Sequence, residues 1–355
     1  MKFEKITKLR CAPFFLAFLV VIYHLPSLSK NQGLPYFNDL AIFNRGTEAV
    51  YMFFSLSGFL IIRGIYIDKL NKTFSIKKFY MRRILRIFPL YYLIVAFGFL
   101  FYWVILPILN IPFENNYELI DGILLTVFFL PNVFAFLHYP GGILEILWSL
   151  GIEEQFYLLV APVLYFFNKR YIVFVLALVG FGFLIIYNLD VFKILKTYKF
   201  VYFFLIFGGL TAILEVKGKL QFLKTSVFFP IIIVAITMLY FTTNYLQIDN
   251  RFMYYFFLSV LFGLFIHTLS FNNRSIVIKQ KNINYFGKIS YGIYMYHVIA
   301  LNLVVFIFLK IHHFFNDIVT IVLINIATFV LTIVMAHLSY KLYETPFLNL
   351  KRKFR

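Results

Sequence analysis

The chain has 355 residues, 62% hydrophobic and 22% aromatic but only 14% charged. Its mean hydropathy is +0.85, a balance far from that of a soluble globular domain. Thirty-three Lys and Arg against 15 Asp and Glu leave a formal charge of +18. In a soluble protein that excess would suggest nucleic acid, but in an apolar chain it encodes orientation across a membrane and implies no nucleic-acid partner. A single cysteine, Cys11, excludes an internal disulfide framework and any cysteine-based zinc or iron–sulfur site.

Along the chain, eleven apolar runs stand out: 11–29, 47–66, 87–109, 120–136, 145–167, 171–189, 199–215, 225–245, 252–270, 288–309 and 317–340. They are long and continuous, so a barrel of short alternating strands is excluded. The first run follows Lys2, Lys5, Lys8 and Arg10 but leads to Tyr23-His24-Leu25-Pro26 with no small-residue cleavage site, and so reads as a retained helix. The fourth run is broken by Pro131-Asn132 and followed by Pro140-Gly141-Gly142, which leaves it too short to span about 30 Å of hydrocarbon. Charge tests that reading. With the N-terminus cytoplasmic and the fourth run not crossing, 26 basic residues fall inside and 7 outside; if it crosses, the split becomes 17 against 16 and carries no orientation signal. The predicted fold is therefore an all-α polytopic transmembrane bundle with about ten crossings and both termini cytoplasmic. Residues 120–144 form a non-spanning outer segment. The loop at 190–199, with Lys193, Lys196 and Lys199, runs against the trend. No polar stretch is long enough for a separate domain, so 1–355 reads as a single integral-membrane domain with no appended soluble one.

Ionisable side chains inside a membrane are costly and are functional candidates by default. His24 lies 14 residues beyond Arg10, about 21 Å deep at 1.5 Å per residue, roughly 9 Å below the outer face of the core. Trp148-Ser149-Leu150-Gly151-Ile152-Glu153-Glu154-Gln155 opens the fourth crossing from outside, which brings Glu153 or Glu154 to a similar depth. A carboxylate on one imidazole nitrogen fixes the tautomer and lets the other nitrogen take a proton from a hydroxyl; the plainer alternative is a polar pair bonding two helices. Arg82, Arg83 and Arg86 crowd the inner mouth of the third crossing with Arg10 on the same side, a fan of donors suited to phosphate oxygens. Positive-inside topology explains them equally well. Ser57-Gly58 places small residues in mid-helix, while Ser290, Tyr291, Tyr294 and His297 drift around one broad face of the ninth crossing. Glu344 follows the last crossing, where it could cap a helix or meet an inner arginine. His138, His267, His312, His313 and His337 have no metal-ligand spacing, and no metal is expected.

These landmarks resemble the acyltransferase-3 family, the integral-membrane bacterial O-acyltransferases of surface polysaccharides and related molecules. The likeness is ordered and runs nearly end to end: Leu9-Arg10 with Val21-Ile22-Tyr23-His24; Phe53-Phe54-Ser55-Leu56-Ser57-Gly58-Phe59; Arg82-Arg83 and Arg86 with Phe88-Pro89 and Tyr91-Tyr92; Trp148-Ser149-Leu150 with Glu153-Glu154-Gln155-Phe156-Tyr157 and Pro162; Ile289-Ser290-Tyr291 with Tyr294 and His297; and Glu344-Thr345-Pro346. The spacing from Arg10 to His24 is longer than the family's usual one, which sets the arginine about one turn farther down the same face.

The resemblance implies an acyl-CoA donor, often acetyl-CoA, in the cytoplasm. It implies an acceptor hydroxyl outside, on an extracytoplasmic glycan or lipid-linked saccharide. Arg82, Arg83 and Arg86, with Arg10, would hold the coenzyme's phosphates. His24 would act as general base or acyl carrier, with Glu153 as its carboxylate partner and Glu154 beside it. Ser57, Trp148, Ser149, Ser290, Tyr291, Tyr294 and His297 would line the passage. The expected location is the cell (inner, cytoplasmic) membrane, among its lipids. The rival reading is a multi-pass transporter or flippase for a glycan or acyl intermediate, which would also place charges in a central cavity.

Overall fold

Apolar runs without backbone partners from elsewhere in the chain can satisfy their peptide groups in lipid only as helices, and helices are what form. The computed structural model describes residues 12–271 and 281–354. Every regular element among them is helical. Three long helices come first, α1 (Ala12–Asn31), α2 (Gly46–Leu70) and α3 (Ile76–Leu100). Three short ones follow, α4 (Leu119–Val127), α5 (Pro131–His138) and α6 (Gly142–Glu145). Seven more complete the bundle: α7 (Trp148–Phe166), α8 (Ile172–Asn188), α9 (Tyr202–Val216), α10 (Phe228–Thr242), α11 (Arg251–Phe271), α12 (Lys281–Ile311) and α13 (Asp317–Leu338).

Each of the ten expected crossings has a helix, but length and apolarity qualify fewer of them. Six helices among the described residues are long and apolar enough to cross a membrane: Ala12–Asn31, Gly46–Leu70, Ile76–Ile108, Arg251–Phe271, Asn284–Phe314 and Asp317–Phe354. A seventh arises if α8 and the helical turn after it, bent by 85°, count as one span. The shortfall has physical causes. α9 and α10 have 15 residues each, about 22 Å at 1.5 Å per residue and short of a 30 Å core, and α7 carries two carboxylates near its start.

α2 and α9 form the centre. Gly58 of α2 faces the backbone of Leu205, and Gly208 of α9 faces the backbone of Ser55, so a Cβ on either would collide with the other helix. The Ser55 hydroxyl donates across the same contact to the Phe204 carbonyl at 3.2 Å. Small residues let two backbones approach where lipid supplies no hydrophobic drive for association. α1, α12 and α13 pack on one flank, α8, α10 and α11 on the other, and α3 and α7 close a third side. The outer surface is apolar. α13 buries Thr320, Ile324, Thr328, Thr332 and Ala336 while exposing Val322, Ile326, Val330, Val334 and Leu338, two stripes of period four with the more polar one turned inward.

Candidate active site

A chain of polar side chains runs along the bundle between α1, α2, α3, α7 and α12. On α7, Ser149, Glu153 and Tyr157 recur every four residues and share one face. At one level the Ser149 hydroxyl donates to Tyr294 Oη at 2.7 Å, and Tyr294 donates to the Ile146 carbonyl at 2.9 Å. Lower down, Tyr157 donates to Glu153 Oε2 at 2.8 Å while Ser57 of α2 donates to the Tyr157 oxygen. Tyr291 donates to the Ile87 carbonyl at 3.0 Å, fixing the register of α12 on α3. Ser290 is buried and bonds back to the Gly287 carbonyl at 3.1 Å, so it does not take part in the polar chain.

His24 lies at the other end of this chain. Its ring stands 5.1 Å from that of His297, tilted by 47°, and Tyr23 meets it edge-on at 5.0 Å. The sequence-predicted meeting of His24 with Glu153 or Glu154 does not occur: among the described residues no hydrogen bond joins His24 to either carboxylate. The reason lies in where α7 begins. Gly141, at φ +94°, turns the chain where a Cβ would strike the Tyr102 ring, and α7 enters with Ser149 level with Tyr294 rather than with His297. Glu153 then lies one turn farther on, and three residues of α12 separate Tyr294 from His297. Together these set the carboxylate about 10 Å along the axis from His24 at 1.5 Å per residue.

The arginines divide. Arg82 points to the chain end, donating to the Phe354 carbonyl at 3.2 Å and pairing with Asp68 at 3.7 Å. Arg83 points inward. Its guanidinium lies 5.8 Å from the Tyr157 ring centroid and 6.0 Å from that of Phe79, with Nε buried and unpartnered. It lies within Coulomb range of Glu153 and Glu154. Arg86 lies in such range of Glu153, Tyr291 and Glu344, and Glu344 accepts from the Ser339 hydroxyl at 3.2 Å. Glu154 is buried with Oε1 unpartnered. Arg10 lies outside the described residues.

The family model for an acyltransferase domain, Acyl_transf_3, matches residues 9–337. The chain belongs to the acyltransferase-3 family. It is also similar to a protein of Acidianus two-tailed virus named "Putative acetyltransferase ORF330", 27% identical over 296 residues that cover 80% of each chain. No solved structure matches it.

Several side chains of this acyltransferase-3 protein matter more than sequence reasoning suggested. Tyr157 links Ser57 to Glu153, and its place one turn after Glu153 was the available signal. Gln155, on another face of α7, donates to the Phe129 carbonyl at 2.6 Å and to Asn132 Oδ1 at 2.9 Å, and accepts from Tyr202 at 2.5 Å. It thereby ties the short-helix stretch 119–145 to α7 and α9. Lys199, in the loop before α9, lies 4.9 Å from the ring centroid of Trp148 and 4.7 Å from that of Phe136. Burial lowers the lysine's pKa from its ordinary value, and Glu48 partly offsets this. Among the described residues no group of three or more His, Cys, Asp or Glu could hold a metal ion.

Proposed function

We propose that the protein moves an acyl group, acetyl in the first instance, from cytoplasmic acyl-CoA to a hydroxyl of an extracytoplasmic glycan or lipid-linked saccharide. The observation that carries the reading is the polar chain itself, in a member of an acyltransferase family: half-buried arginines at one end, a histidine pair at the other, and hydroxyls between. In this reading the helices cross about ten times, with both termini cytoplasmic and the arginine end inside. Arg83 and Arg86 hold the phosphates of the coenzyme. Its arm lies along Tyr157, Ser57, Ser149 and Tyr294. From Arg83 up to Ile87, and from Tyr291 up to His297, the climb is ten residues, about 15 Å at 1.5 Å per residue, a distance an extended pantetheine arm can cover. The thioester then reaches His24, which takes the proton of the acceptor hydroxyl as general base. Glu153 and Glu154, remote from that ring, balance the arginine charge along the way.

The test is comparative mass spectrometry of the surface glycans of cells with the gene, without it, and with His24→Ala. Loss of the acetyl increment in both the deletion and the variant, with the variant protein still inserted and abundant, is the expected result. An unchanged glycan in the deletion strain would remove the acceptor class, and retained acylation in the variant would remove His24 from the chemistry.

A further inference from the structure

The ring nitrogens of His297 are assignable from geometry. Nδ1 lies 2.5 Å from the Tyr294 carbonyl oxygen, one turn back on α12. A carbonyl oxygen only accepts, so Nδ1 carries the hydrogen, and in a neutral imidazole Nε2 is then a bare lone pair. That Nε2 is sealed from solvent and has no partner, in a residue only 1% exposed. A buried acceptor left empty is costly, and the ring of His24 stands beside that of His297. A centroid separation of 5.1 Å leaves room for a nitrogen of each ring to meet at hydrogen-bond distance once the half-buried His24 ring turns. The nearby Tyr294 hydroxyl is already committed to Ile146 and Ser149.

We infer that His297, not a carboxylate, is the positioning residue for His24: its Nε2 accepts one ring N–H of His24 and leaves the other His24 nitrogen as the base. The inference rests on the acyl-transfer reading above. The tautomer is passed along a line, from the Tyr294 carbonyl to His297 to His24, as an orienting group passes it in other base-assisted acyl transfers. As the acceptor oxygen attacks the thioester carbon, its proton moves to the free nitrogen of His24. The carbon–sulfur bond breaks, and the departing thiolate takes that proton, which returns both rings to their starting state. While His24 is cationic, its other N–H strengthens its bond to the His297 lone pair.

Two variants separate this role from packing. His297→Phe keeps a ring of similar shape and removes the lone pair, whereas the amide oxygen of His297→Gln can reach the Nε2 position. Each is assayed in lipid with radiolabelled acetyl-CoA and surface polysaccharide from a strain lacking the gene, beside the parent protein. The expected result is a fall in kcat of about 10²-fold for the Phe variant, an unchanged KM for acetyl-CoA, and a Gln variant within about tenfold of the parent. Near-parental turnover by the Phe variant, equal loss in both variants, or a rise in KM that accounts for the loss would each overturn the pairing. A parent protein that transfers no label would instead overturn the acyl-transfer reading on which it rests.

Discussion

A guanidinium with a sealed, idle nitrogen and a guanidinium whose donors are already bonded are different objects, although Arg82 and Arg83 are neighbours in sequence. Arg82 uses its donors on Asp68 and the Phe354 carbonyl, and an ion pair this exposed contributes about 0–1 kcal/mol. Arg83 keeps Nε free inside the bundle, and Arg86 shares its electrostatic surroundings. A hydrogen bond to a charged group contributes about 1.5–3 kcal/mol, so Arg83→Gln and Arg86→Gln should each weaken acetyl-CoA binding by roughly tenfold or more. Arg82→Gln should change it by less than about threefold. Calorimetric titration of the protein in lipid with acetyl-CoA checks the contrast. Equal affinity in all three variants would leave these arginines as orientation signals only.

At the scale of the element, the contact between α2 and α9 is the least forgiving. A methyl added at Gly58 or Gly208 meets backbone on the facing helix, not the movable end of a side chain, so the helices must separate and the polar face of α2 that carries Ser57 moves with them. Overpacking of this kind costs about 1–3 kcal/mol. Gly58→Ala and Gly208→Ala should each lower the unfolding temperature measurably, while Gly182→Ala, on α8 with open space around it, should not. A thermal melt in detergent that ranks the three alike would refute the account. This contact also marks what sequence could and could not convey. The apolar runs announced the ten helices at the expected crossings, and the serine and glycine in mid-helix announced a close approach. The partner of His24 was not legible, because depth counted from a helix end assumes that helix enters where the apolar run begins, and α7 enters one turn lower after the Pro-Gly-Gly turn. The division of labour between Arg82 and Arg83 was hidden for a related reason: it depends on where residues 68 and 354 lie in space, and no local pattern encodes that. Lys199, which as a bare charge opposed the predicted orientation, has two aromatic faces beside it, an environment that composition cannot report.

At the scale of the molecule, orientation turns on one segment. Residues 119–145 fold as helices of nine, eight and four residues, and even the longest, about 14 Å at 1.5 Å per residue, falls well short of the hydrocarbon core. If this stretch returns to the face it left, the exposed Lys169 between α7 and α8 lies in the cytoplasm and Tyr245 between α10 and α11 lies outside. If it crosses, the two exchange sides. Asp39, before the segment, stays outside in both arrangements, and all three side chains are exposed. Because Cys11 is the only cysteine, a Cys11→Ser background allows single cysteines at 39, 169 and 245 to be probed in intact cells with a membrane-impermeant thiol reagent. Labelling at 39 and 245 with protection at 169 is the expected pattern and would leave the arginine end facing the cytoplasmic coenzyme. Labelling at 169 with protection at 245 would show that the segment crosses. The 26 to 7 division of charge would then lose its meaning, and α7 would run the wrong way to carry a thioester from Arg83 towards His24.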